Sequence, residues 1–200
     1  MAEFSDHSTE STSLTTTFIA PFEDYVSVNA SVQDRVHEWF GQRLMAFKGH
    51  DSLICLLVCL PLIERFVVWQ VNSAGHGVEH GFTGPCPEKN QLCKKLGAFL
   101  GTSAEGAQAF YVLIRCGFLH RGLPNKQLKS GERFETTLTP EMDKLARCVE
   151  FTPPTAGGRG HLQIWVWKLR DKVCKDVLTN NSAFWTKDQT SFMGIQIMQP

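Results

Sequence analysis

Residues 115–122 read Arg-Cys-Gly-Phe-Leu-His-Arg-Gly, two strong cations and an imidazole at the end of an apolar stretch. An arginine fork can hold a phosphate through parallel hydrogen bonds. Imidazole, which titrates near neutral pH, can give or take a proton at a reacting oxygen. Arg115 and His120 are therefore the candidate pair of a nuclease site, with Arg121 beside them. The same residues also suit a helix C-terminus. Each cation there gains about 0.3–1 kcal/mol from the exposed carbonyls, with no further role.

Three features weigh toward chemistry. Arg115 lies between Tyr111-Val-Leu-Ile114 and Cys116-Gly-Phe-Leu119, a permanent charge in an apolar run. Burying it alone is costly, so it needs a partner. Glu64, within the equally apolar segment around Leu53–Ile63, is the expected one. Gly117 thins the helix where another backbone or a ligand can approach. Arg115 and His120 are roughly 140° apart around an ideal helix, which suits a groove between two helices better than one stripe.

Other residue types offer weaker chemistry. His76 and His80 with Cys86 and Cys93 make four ligand types that zinc accepts, but the loop is Gly-rich and the spacing matches no common finger. A surface loop is the favoured reading, and no metal or cofactor is expected. Trp165 and Trp167, on alternate positions of an expected strand, either stack bases beside a basic run or pack the sheet on its helices. Five basic residues face one acid between Arg115 and Arg133, and again between Arg159 and Lys175, while residues 1–40 hold seven acids and one base. No Walker loop, GxGxxG, GxSxG or HExxH occurs.

The elements that must position these groups are mostly helical. A helix is expected from Ser31, capped by Asn29 or Ser31 and stopped by Gly49, with Val32, Val36, Trp39, Phe40, Leu44 and Phe47 at helical spacing. A second, about Asp51–Val71, is apolar nearly all round and should be kinked at Pro61. A shorter helix follows near Asn90–Leu100. Thr102-Ser-Ala-Glu105 reads as a capping box opening the helix that carries Arg115, with Gly122 and Pro124 as its stop. Strands are expected at 132–138, 147–152 and 161–167, then a last helix over Lys168–Leu178. Residues 1–20 read as a disordered Ser/Thr-rich tail, 21–180 as one domain, and 181–200 as a C-terminal tail.

The 200 residues carry zero formal net charge, 42% hydrophobic and 20% charged residues, as a globular protein does. A global field drawing the chain to nucleic acid or membrane is excluded; a local patch is not. Seven cysteines without a CxxC pair read as reduced thiols in a cytoplasmic protein. The N-terminus lacks the features of a secretory signal, and the Leu53–Ile63 run reads as a core helix, with no membrane association.

The segment Arg115-Cys-Gly-Phe-Leu-His120, near the end of a bundle helix and preceded by a long apolar one, resembles the Arg-x4-His motif of the HEPN superfamily. With Arg121-Gly-Leu-Pro124 it also looks like uncharacterised bacterial HEPN-like proteins. The resemblance spans about residues 30–125. It implies a mainly α fold: a HEPN-like helical bundle, here with a small β-hairpin or meander (about 132–167) before the last helix. It implies metal-independent RNA cleavage between two subunits, hence a homodimer, of the kind found in toxin–antitoxin pairs, phage defence and RNA processing. A cognate antitoxin or defence partner is then expected. His120 would be the acid or base and Arg115 would stabilise the phosphorane, with Glu64, Cys116 and Arg121 in support. Cys116 departs from the family, whose active members often carry Asn, Asp or His there. That departure favours the alternative, a non-catalytic helical interaction or dimerisation module.

Overall fold

The computed structural model describes residues 37–76, 81–128, 130–139 and 147–185. The tail expected at 1–20, the cap expected at Asn29 or Ser31, and residues 186–200 lie outside these. The architecture is mainly helical with one small three-stranded sheet before the last helix.

Helix α1 opens with a π-type turn, His37–Gly41, and continues as Gln42–Ala46. It stops at Phe47, whose backbone is extended, before the expected Gly49. A 3-10 turn, Gly49–Asp51, then leads into the next helix, with the Asp51 carboxylate accepting from the Lys48 amide at 3.0 Å.

Helix α2 spans Ser52–Ser73 and runs unbroken through Pro61. Pro61 is exposed, so water can reach the carbonyl that its missing N–H leaves unbonded. Cys55, Leu56, Cys59, Leu60, Ile63, Phe66, Val67 and Val71 recur at three- and four-residue steps and form the buried stripe. Gly49–Ser73 is also long and apolar enough, by length and composition, to cross a membrane. In this fold its inner stripe is the centre of the core.

Helix α3 is Gln91–Leu100, capped by Asn90, whose Oδ1 accepts from the amides of Leu92 at 2.9 Å and Cys93 at 3.3 Å. Helix α4 begins as Ala104–Phe110, widens to π-type turns over Tyr111–Cys116 and closes as Gly117–Arg121. Its cap is Ser103 rather than Thr102: the Ser103 hydroxyl accepts from Gly106 N at 3.0 Å, and Glu105 sits in the first turn. Gly122, at φ +71°, ends the helix in the left-handed conformation that glycine adopts without strain.

Strands β1 (Phe134–Thr139), β2 (Val149–Thr152) and β3 (Gly160–Trp165) form a sheet in the order β1-β3-β2. β2 and β3 make the expected hairpin, Val149 opposite Ile164. β1 runs parallel to β3, Phe134 opposite Gly160, so the sheet is not a meander. Inward residues Phe134, Val149, Leu162 and Ile164 are buried against the helices, and the outward row is polar, with Thr137 meeting His161 at 2.9 Å.

Helix α5 starts at Val166, two residues before the expected Lys168, running Val166–Lys172 and then in π-type turns Val173–Thr179. The core does not end there. Phe184 and Trp185, assigned from sequence to the tail, are buried, with Phe184 edge-on to Phe66 and the Trp185 indole donating to the Val177 carbonyl at 2.9 Å. All seven cysteines are free thiols.

Candidate functional site

Helices α2 and α4 are tied together where each carries a charge in an apolar run. Arg115 Nε donates to Glu64 Oε2 at 2.7 Å, and the Tyr111 hydroxyl donates to Glu64 Oε1 at 3.0 Å. Tyr111 lies one turn before Arg115, and its ring sits 5.2 Å from the guanidinium carbon. The expected ion pair is thus formed, with a third member that charge-based reasoning missed. The available signal was the spacing: Tyr111 is four residues before Arg115, on the same helix face.

Both charged side chains are largely enclosed, 22% exposed for Arg115 and 23% for Glu64. Burial opposes the Arg115 charge, but the hydrogen bond and negative charge of Glu64 outweigh it, and the guanidinium pKa stands above its usual value. For Tyr111, burial and then the Glu64 charge push the hydroxyl pKa well up. Arg115 therefore stays a cation and Tyr111 a neutral phenol at any physiological pH, both held against Glu64.

The glycine-rich loop forms one wall. Phe82 is buried and stacks on Tyr111, centroids 4.3 Å apart and planes at 17°. Gln108 Nε2 donates to the carbonyls of Phe82 at 3.3 Å and Gly84 at 2.7 Å, and Asn90 Nδ2 to Gly81 at 2.6 Å. Residues 81–84 are thus a fastened segment rather than the surface loop expected from composition. Among the described residues no three His, Cys, Asp or Glu groups are gathered as a metal site. Cys93, one of the zinc candidates, is buried and donates its thiol to the Phe82 carbonyl at 3.4 Å. His76 and Cys86 are exposed, and His80 lies outside the described residues.

Gly117 has a definite neighbour, and it is the chain itself. A Cβ there would stand 2.5 Å from Asn125 N and 2.7 Å from Leu123 O. The segment after Gly122 folds back across the helix at this glycine. Asn125 then donates its amide to Leu113 O at 2.7 Å and its side chain to Val112 O at 2.8 Å, carbonyls within the π-type turns. The close approach is thus filled by residues 123–125.

His120 is exposed on the last turn of α4 and, among the described residues, makes no hydrogen bond or ion pair. Arg121 is exposed next to it, and Cys116 is half-buried. Arg115 looks into the α2–α4 seam while His120 stands at the helix end. Within one chain Arg115 is held by its neighbours and His120 is not.

The basic segments differ from each other. In the segment from Arg159 to Lys175 three of the five cations are in ion pairs: Arg159 with Glu135 at 2.8 Å, Arg170 with Asp171 at 2.7 Å and Lys172 with Asp176 at 2.7 Å. Trp165 ends β3, Trp167 already belongs to α5, and both are buried beneath Arg147, Lys168 and Arg170. They pack the sheet onto the bundle and offer no ring for base stacking. Nearer α4, Arg121, Lys126 and Arg133 are exposed. A short β contact, Gln127 opposite Arg133, with Phe134 N donating to Lys126 O at 2.9 Å, holds the last two side by side.

Comparison of the chain with family models, with curated proteins and with solved structures finds no match in any of the three.

Proposed function

We propose that the chain is a HEPN-like RNA-binding protein that cleaves RNA without metal, of the defence or toxin type, with Arg115 and His120 as the reacting pair. The observation that carries this reading is the setting of Arg115. Glu64 takes its Nε hydrogen and Tyr111 flanks its plane, while no described residue takes a hydrogen from the two terminal nitrogens. A guanidinium so oriented, and 22% exposed, presents donors to a phosphate without having to be ordered first. The exposed His120 supplies or accepts the proton as the ribose 2′-hydroxyl attacks phosphorus and the 5′-oxygen leaves. Arg121, Lys126 and Arg133 are exposed cations on the same stretch of chain, suited to neighbouring phosphates.

A second reading, a non-catalytic helical interaction module, has its own support. Glu64, Tyr111 and Arg115 already complete a structural clasp, and Gly117 is explained by residues 123–125.

The assay is cleavage of single-stranded RNA in excess chelator. The nuclease leaves 2′,3′-cyclic phosphate or 3′-phosphate ends, spares DNA, and loses roughly 10²–10⁴-fold in rate on His120→Ala with an unchanged melting temperature. Cleavage that survives His120→Ala refutes the assignment.

A further inference from the structure

Cys55 and Cys59 lie one turn apart on the buried stripe of α2, both fully enclosed. A buried cysteine packs as a small hydrophobe and needs no further role. Packing alone, however, does not require two thiols to meet each other beside a charge. Here they do. The Cys59 thiol donates to Cys55, and the Arg170 guanidinium of α5, a helix packed along α2, acts on both sulfurs. Arg170 is itself held in place, 15% exposed, with Asp171 at 2.7 Å and the centre of the Trp167 ring 4.9 Å from its guanidinium carbon.

The surroundings set the two sulfurs apart. The hydrogen bond from Cys59, and then the Arg170 charge, lower the Cys55 pKa against the opposing effects of burial and of Asp171 and Asp51. The same hydrogen bond, and then burial, push Cys59 well up. Cys55 is thus the sulfur that gives up its proton first, the condition for a metal-binding thiolate. Cys174, one turn after Arg170, is the third sulfur of this seam. It is half-buried, and burial pushes its pKa up to about 11. The three sulfurs are not gathered as a three-ligand site.

Four-ligand chemistry, that of structural zinc and of iron–sulfur clusters, therefore does not fit this seam. Two sulfurs in S–H···S contact suit a soft monovalent cation, which takes two thiolates in line. We propose that Cys55 and Cys59 bind one copper(I) ion between them, with Arg170 offsetting the charge of the centre. The thiol protons leave to solvent, each sulfur gives an electron pair to the metal, and nothing is oxidised or reduced. Two thiolates and one copper(I) carry one net negative charge, which the guanidinium balances. The site is separate from Arg115 and His120, and cleavage of RNA without metal neither needs it nor bears on it.

The test offers copper(I), held by an excess of a coloured chelator and kept from oxygen, to the full chain carrying Cys86→Ser, which removes the exposed thiol. Loss of the chelator's colour should count one copper per chain, and X-ray absorption should find two sulfur ligands and no nitrogen. Copper should also raise the melting temperature, as a ligand of the folded state does. Cys59→Ala, checked for folding by circular dichroism, should weaken capture by more than the roughly 10–100-fold that loss of an outer-sphere partner costs. Cys174→Ala should keep the ion. Should Cys59→Ala not fold, the Cys174→Ala chain decides. Its other cysteines, Cys93, Cys116 and Cys148, stand on separate elements, so a two-sulfur centre there belongs to Cys55 and Cys59. Failure to take copper from the chelator overturns the proposal, as does a centre with nitrogen or a third sulfur. Capture that survives Cys59→Ala in a folded chain overturns it equally.

Discussion

Removing the charge from Glu64 or Arg115 tests whether the α2–α4 clasp is a coupled unit. The pair lies between two regimes. Exposed ion pairs are worth about 0.2–1 kcal/mol, and one-sided loss of a fully buried pair costs about 3–5 kcal/mol. With 22% and 23% exposure and a 2.7 Å contact, Glu64→Gln or Arg115→Met should each cost about 2–3 kcal/mol. For a chain of this length that lowers the melting temperature by roughly 4–12 °C. The double variant removes both charges and strands neither, so it should be more stable than the sum of the single losses, with a coupling of about 1.5 kcal/mol. Chemical denaturation of all four proteins, at low salt and again near 1 M salt, measures the cycle. A coupling that persists in salt identifies a pair shielded from the Debye atmosphere. Additivity within about 0.3–0.5 kcal/mol would mean that the two side chains do not hold each other in solution, and the reading of Arg115 as a pre-oriented donor would fail with it.

Three further outcomes are expected. Gly117→Ala should destabilise by about 1–3 kcal/mol or more, because its methyl group meets backbone rather than a movable side chain; an unchanged melting temperature would contradict the packing of residues 123–125. Folding raises the Tyr111 pKa, so its contribution is whole below about pH 10, where the unfolded phenol begins to ionise, and is lost at higher pH. Tyr111→Phe should therefore flatten the alkaline fall in stability, and a denaturation series from pH 8 to 11 showing equal slopes would refute this. A disulfide reagent should label exposed Cys86 first in the native protein, whereas Cys93 and Cys148, buried with pKa values pushed up to about 11, should wait for unfolding; mass spectrometry of the labelled peptides decides.

Helical periodicity carried most of the fold, because a stripe at three- and four-residue steps needs only local chain to be read. It located α2, α3 and α4 and the Gly122 stop. The Glu64–Arg115 contact was legible for a different reason, since an isolated charge in an apolar run must find an opposite one. What stayed hidden depends on distant chain. Nothing local to Gly117 states that Asn125 returns to cover it, and a glycine that admits backbone looks the same in sequence as one that admits a ligand. Trp165 and Trp167 looked like one face of a strand because alternation does not reveal that β3 ends between them. Phe82 was passed over because the glycines around it dominate the composition of its loop.

The order in which the sheet assembles follows from its pairing. Thr152 meets His161 nine positions on, whereas Phe134 meets Gly160 across 26. The β2–β3 hairpin can close from its own turn, but β1 has no partner until β3 exists and must then arrive from a remote part of the chain at a higher loop-closure cost. Amide hydrogen exchange should accordingly find β1 the strand that opens first and most often. Because the neighbouring Lys126–Arg133 segment leads straight into β1, an opening there would loosen the exposed cations beside α4 while the α2–α4 clasp stayed shut.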